Sequence, residues 1–266
     1  MNTLKVVCFV LFFSAMYASA ATMKVCIDHY PPLQILTGEP KGESIAVLEV
    51  LATLLGHDVE YIPGPNFARC LRMLELGQVD VLAGLVDDPA RRTFAHFVPY
   101  QEDDSYIFVS RIDTADIVSF GDLEKHVVGI TKHTKYFKEL EFAQDISKVI
   151  IKDIATGLKM LLLKRIDVIV TSAPILQSIQ NELGNIDDKI KVNPYSYNTS
   201  RQLCFGFSKN SKLIFTADEM FKIKQAAQQQ VFSKAIEQFI IANPELYSHV
   251  DSSLIMTNKA KQNNFD

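Results

Sequence analysis

Apolar residues recur at three- and four-residue intervals in IAVLEVLATLLG (45–56), FARCLRMLELG (67–77) and ATGLKMLLLK (155–164), which predicts amphipathic helices. Between them lie short alternating or wholly apolar runs: MKVCID, DVEYIP, VDVLAGL, YIFVS, VVGI, VIIKD and IDVIVT. These read as strands. Gly56 and Gly77 stand where two of the helices should stop, Asn66 where the second should start, and Pro174 in the first turn of a further helix, SAPILQSIQNELG. Strand and helix alternate with short links, which predicts α/β structure with parallel strands and right-handed crossovers. VDDPARRTFAHFVPY (86–100) reads as a polar loop, RQLCFGFSK (201–209) as a strand, and the proline-free stretch 216–242 as one long helix.

The pattern also repeats. LRMLELGQVDVLAG (71–84) has a near copy in LKMLLLKRIDVIVT (158–171), with Leu, Met, Leu, Leu, Asp and Val in one register. Two similar lobes are expected, with Asp80 and Asp167 as matching structural acids that help cap the turn into each strand.

Composition narrows the class. At 266 residues, 48% apolar and 22% charged, the chain can form two small cores and shows no bias towards disorder. Lys5, the apolar run from Val6 to Met16 and Ala18-Ser19-Ala20 read as a signal peptide over 1–20, cut before Ala21, which implies a periplasmic address. Beyond it stand 26 basic and 31 acidic residues, and this mildly acidic balance without a basic stripe argues against nucleic acid as a partner. Cys26, Cys70 and Cys204 remain there; export permits a disulfide, an odd count leaves at least one thiol free, and their apolar surroundings favour small buried side chains. No Cys/His spacing suits zinc, and no cofactor is expected.

Asp28 and Tyr30-Pro31-Pro32 after the first strand, Gly56, Leu74 with Gly77 and Asp80, Pro89 and Arg91, Phe97 with Pro99-Tyr100, Leu123 before Gly129 and Leu162 before Asp167 together resemble the family 3 extracellular solute-binding proteins. The resemblance spans essentially the whole mature chain. It implies a type II periplasmic-binding-protein fold, in which a second α/β lobe (108–203) is inserted into the first (21–107 and 204–257), ahead of a mobile tail (258–266). Two crossings, near Tyr106–Val109 and Arg201–Phe205, would join lobes that close on a solute by hinge motion. It further implies a monomer that delivers its solute to an inner-membrane ABC permease.

In amino-acid binders of this kind the position matching Arg91 holds the ligand carboxylate, a bidentate role suited to a guanidinium. Asp28, Tyr30, Phe67 and Arg69 are further candidates on the first lobe. Thr131, His133 and Thr134, before a predicted helix, could receive an anionic group. Ala83 and Val86 stand where the family carries hydroxyls, and Ser172 where amino-acid binders place an aspartate for the ligand ammonium. An ordinary α-amino acid is therefore a poor expectation, and a carboxylate or a polar solute without ammonium fits at least as well. Two alternatives follow from the resemblance: a cyclohexadienyl dehydratase-like enzyme, for which Glu102, Asp103, Asp104 and His133 would supply acid and base, and a free-standing sensory module. No paired carboxylates in catalytic spacing support the enzyme.

Overall fold

The computed structural model describes residues 21–102, 105–132, 134–184, 186–198 and 201–247. The leader, the tail from 258, Asp103, Asp104 and His133 lie outside the described residues.

The first lobe begins with β1 (Thr22–Ile27), α1 (Glu43–Leu55), β2 (Asp58–Pro63), α2 (Phe67–Glu75) and β3 (Val81–Val86). The start and stop signals act as expected: Gly56 closes α1 in the left-handed conformation, and the Asn66 side chain accepts the Arg69 amide at 3.0 Å to open α2. After a 3-10 turn at Arg91–Thr93 comes β4 (Ala95–Glu102). This corrects the loop expected over 86–100. β4 hides in a polar stretch because only Ala95, Val98 and Tyr100 of its eight residues are buried.

The chain then builds the second lobe from β5 (Tyr106–Arg111), β6 (Val127–Thr131), α3 (Lys138–Phe142), β7 (Ser147–Ile151), α4 (Ile154–Leu162), β8 (Val168–Thr171), α5 (Ala173–Leu183) and β9 (Ile190–Tyr197). It returns through β10 (Gln202–Ser208) and finishes with α6 (Ala217–Gln228) and α7 (Val231–Ala242). The single long helix expected here is two, because Gln230 turns left-handed at φ 58° between them.

The sheets have the same plan, β2-β1-β3-β10-β4 and β7-β6-β8-β5-β9. In each, three parallel strands are followed by an antiparallel strand that arrives from the other lobe's side of the chain, then by an outer strand antiparallel to it. The exchange falls between Glu102 and Tyr106 and between Tyr197 and Gln202, so Tyr106 and Ile107 belong to the second sheet and Gln202 and Leu203 to the first. Each sheet is covered on both faces. Met23, Val25 and Ile27 of β1 face α1, α6 and α7, while Cys26 faces α2. The second sheet is divided likewise, with Val168 and Val170 on one face and Ile169 on the other.

The acids of the repeat do something more specific than capping their own turns. Asp80 accepts the Lys24 amide at 2.6 Å and donates its own amide to the Lys24 carbonyl at 2.8 Å; Asp167 does the same with Val127, at 2.9 and 2.8 Å. Each thus locks the head of the central strand, β3 or β8, to its parallel neighbour. Cys26 and Cys70 form a disulfide, which the sequence left open, and Cys204 is the thiol that the odd count leaves free, buried. The bond ties β1 to α2 across a sequence separation of 44, which in the chain-entropy account contributes roughly 3–4 kcal/mol. Gly64 passes beside it, where a Cβ would come within 2.6 and 2.7 Å of the two sulfurs.

Candidate ligand-binding site

The carboxyl ends of the parallel strands of both sheets face a cavity of about 620 Å³. This is where open α/β sheets hold ligands, because strand ends and helix starts present backbone groups with no partner in the sheet. Side chains from both lobes and from both crossings line it.

On the first lobe, Arg91 is 5% exposed. Its guanidinium donates to the Val86 carbonyl at 3.1 Å and lies 5.7 Å from the centre of the Phe67 ring, a cation–π arrangement. Burial pulls its pKa below the usual arginine value, partly offset by Asp88 and Glu141, and it remains a cation. The loop carrying it is set by Asp88, whose Oδ1 accepts the amides of Ala90 and Arg91 at 3.0 and 3.3 Å. Asp28 leaves the end of β1 towards the same space; burial raises its carboxyl pKa, while its own amide and that of Phe67 work in the other direction. Phe67 and Tyr30 are half-buried walls of the cavity. Arg69 is exposed on α2 and does not line it, because Phe67 and Ala68 occupy the turn that faces inward.

On the second lobe, Thr131 and Thr134 line the cavity and bond each other through their hydroxyls at 2.6 Å. The Tyr136 hydroxyl completes that cluster, 3.0 Å from Thr131 Oγ1 and accepting the Thr131 amide at 2.9 Å. Ser172 caps α5 by position, and its side chain makes no capping bond. Thr171, just before it, is 4% exposed, and its hydroxyl has no hydrogen-bond partner among the described residues. Among the described residues no group of three His, Cys, Asp or Glu side chains is placed to hold a metal.

Three features of the site escaped the sequence reading. Arg201, noted there only as part of a crossing, lines the cavity with its guanidinium 4.8 Å from the centre of the Tyr106 ring, and donates to the Tyr106 hydroxyl and the Lys135 carbonyl. Lys135 then reaches across to the first lobe, its ammonium 2.9 Å from Asp88 Oδ2. Elsewhere on the rim, His29 Nδ1 accepts the Leu36 amide, which leaves Nε2 to donate to Glu182 of the second lobe at 3.1 Å. Each contact joins residues far apart in sequence, and none belongs to a local motif.

The profile of the bacterial extracellular solute-binding proteins, family 3, matches residues 23–255. The chain belongs to this family. No curated protein matches the sequence significantly. Solved structures of similar fold include an ancestral arginine-binding protein bound to arginine, with TM-score 0.69 and 19% identity over 84% of this chain and 97% of that one. An amino-acid ABC transporter substrate-binding protein from Streptococcus pneumoniae, bound to L-arginine, gives 0.68 and 18% over 85% and 95%. A histidine kinase sensor domain gives 0.69 and 18% over 84% and 96%. At such identities the likeness concerns the fold, and it places this family 3 protein on the two-lobed type II scaffold. Among the described residues no helix is long and apolar enough to cross a membrane.

Proposed function

We propose that this family 3 protein captures a small carboxylate-bearing solute between its lobes in the periplasm and delivers it, as a monomer, to an inner-membrane ABC permease. The observation that carries the reading is the buried Arg91 guanidinium, 5.7 Å from the centre of the Phe67 ring and lining the cavity between the lobes. A carboxylate meeting it there is shielded from water, where a bidentate pair is strongest. Closure is stabilised by the bonds that cross the cleft, Lys135 to Asp88 and His29 to Glu182, together with a solute that touches both lobes only when they meet. The signal sequence over 1–20, and the family's extracellular setting, support the periplasmic address.

Thermal-shift and calorimetric titration with a panel of small carboxylates tests the reading. Arg91→Ala should cost about 1.5–3 kcal/mol of ligand affinity, roughly 10- to 100-fold, through loss of a charge-assisted bond. Undiminished binding by that variant removes Arg91 from the site.

A second reading, a sensory module that reports occupancy to a receptor partner, is favoured by the likeness to the histidine kinase sensor domain. Co-purification with permease or receptor, with and without solute, separates the two. Both readings make the chain a binder rather than an enzyme.

A further inference from the structure

The first-turn amides of an α-helix have no partner within the helix and carry the positive end of its dipole. α5 is 11 residues long and starts at Ala173, with Ser172, Pro174 and Ile175 all lining the cavity. Beside that start stands Thr171, whose hydroxyl is buried and, among the described residues, unpartnered. The other second-lobe hydroxyls near the cleft are different, because Thr131, Thr134 and Tyr136 satisfy one another. Acids of the second lobe are also in use: Asp153 accepts the Thr156 amide at 2.7 Å and Glu182 receives His29. Pro174 has no amide hydrogen and the Leu176 amide already bonds the Ser172 carbonyl at 3.0 Å, so on this wall the Ala173 and Ile175 amides with the Thr171 and Ser172 hydroxyls are the donors left for an oxygen atom, and the helix dipole repels an ammonium group.

We propose that the α5 start, with Thr171 Oγ1 and Ser172 Oγ, is a second polar subsite that takes an oxygen acceptor, so that the ligand is a 2-oxo or 2-hydroxy acid rather than a 2-amino acid. This rests on the reading of Arg91 as the carboxylate site and adds the chemistry of the neighbouring carbon. The remaining bulk of such an acid meets apolar side chains, among them Ile151, Ile154, Val170 and Ile175. Asp28, Glu43, Asp153 and Glu182 also line the cavity, and an amino acid could oppose this by turning its ammonium towards one of them; Asp28, the one at the end of β1, is the one the experiment addresses.

Three isobutyl acids that differ at one group are titrated into the mature chain by calorimetry: 4-methyl-2-oxopentanoate, 2-hydroxy-4-methylpentanoate and leucine. The oxo and hydroxy acids should bind at least about tenfold more tightly than leucine, the scale of a favourable dipole replaced by an unfavourable one together with a lost hydrogen bond. Thr171→Val, nearly isosteric, should shrink that preference while leaving the unfolding midpoint unchanged. Leucine binding as tightly as the other two, or a preference that survives Thr171→Val, overturns the subsite. A leucine preference that Asp28→Asn abolishes also overturns it, and Arg91→Gln weakening all three acids alike would then show the carboxylate reading still standing. If none of the three binds, the subsite as proposed for these acids falls, while the carboxylate reading is decided by the wider panel and by Arg91→Ala.

Discussion

The two copies of the repeat share the same sequence of helix, turn, aspartate and strand, and part company at its end. In both, a helix of Leu, Met and Leu is followed by a left-handed turn and by an aspartate that hooks the neighbouring strand, Asp80 to Lys24 and Asp167 to Val127. At the end of the copy the first lobe has Gly84, whose amide bonds the Tyr100 hydroxyl at 3.0 Å, and the second has Thr171 with its hydroxyl buried at the cavity. Beyond that point one lobe carries the Arg91 loop and the other the start of α5. What builds a lobe is thus common to the two copies, and they differ where the backbone reaches the cleft.

The turn of the repeat offers the sharpest way to break the symmetry. Gly77 and Lys164 occupy the same place, with φ of 67° and 58°. At Gly77 an added Cβ would overlap the Asn210 backbone, so Gly77→Ala should destabilise by about 3 kcal/mol or more, with clash added to backbone strain. Urea unfolding measures it, and a loss below about 1 kcal/mol would show that the 210 loop simply moves aside.

The aspartates come next. Asp80 is the more buried and is also bonded by the Ser211 hydroxyl, whereas Asp167 shares its second oxygen with Arg111 at 3.3 Å. Asp80→Ala should cost about 2–3 kcal/mol and Asp167→Ala about 1–2 kcal/mol. Equal losses would mean that the strand hook alone matters, and the outer partners do not. Smaller still, Lys164→Gly should stabilise the second lobe by up to about 1 kcal/mol by removing left-handed strain from a side-chain-bearing residue.

The smallest effect concerns one of the bonds that cross the cleft, Lys135 to Asp88. Burial disfavours the charged Asp88, but the hydrogen bond and charge of Lys135 and the amides of Arg91 and Ala90 outweigh it and hold the carboxyl below its usual range. A group depressed in this way contributes fully above its unfolded pKa and loses its contribution as pH falls through the lower folded value. Acid should therefore loosen closure while leaving it unaffected near neutrality. X-ray scattering should show the radius of gyration rising below the ordinary aspartate range in the wild type, and less so in Lys135→Met. The same pH response in both would exclude this pair as a latch.

The sequence made the scaffold readable because its signals are local. Gly56, Asn66 and Gly77 each act on a neighbouring turn, and the Asp80 and Asp167 copies announce each other. β4 was not readable, since its inward residues are buried by pairing with β10, a hundred residues later, and by packing against helices from both ends of the chain. The split at Gln230 was missed because nothing in a run of glutamines predicts one left-handed residue. In the site, Arg91 could be found through a resemblance, while Thr171 could not: a threonine ending a strand is ordinary β composition, and its buried, unpartnered state is a property of the assembled lobe. Arg201, Lys135 and Asp88 met only through the tertiary fold.

The disulfide lies two residues before Asp28 and three after Phe67, so it staples together the two segments that wall the first-lobe half of the cleft. A chain matured among reductants would keep its paired sheets yet hold those walls by packing alone. How firmly the cleft is shaped is therefore inherited from the redox chemistry of the place where the chain folds.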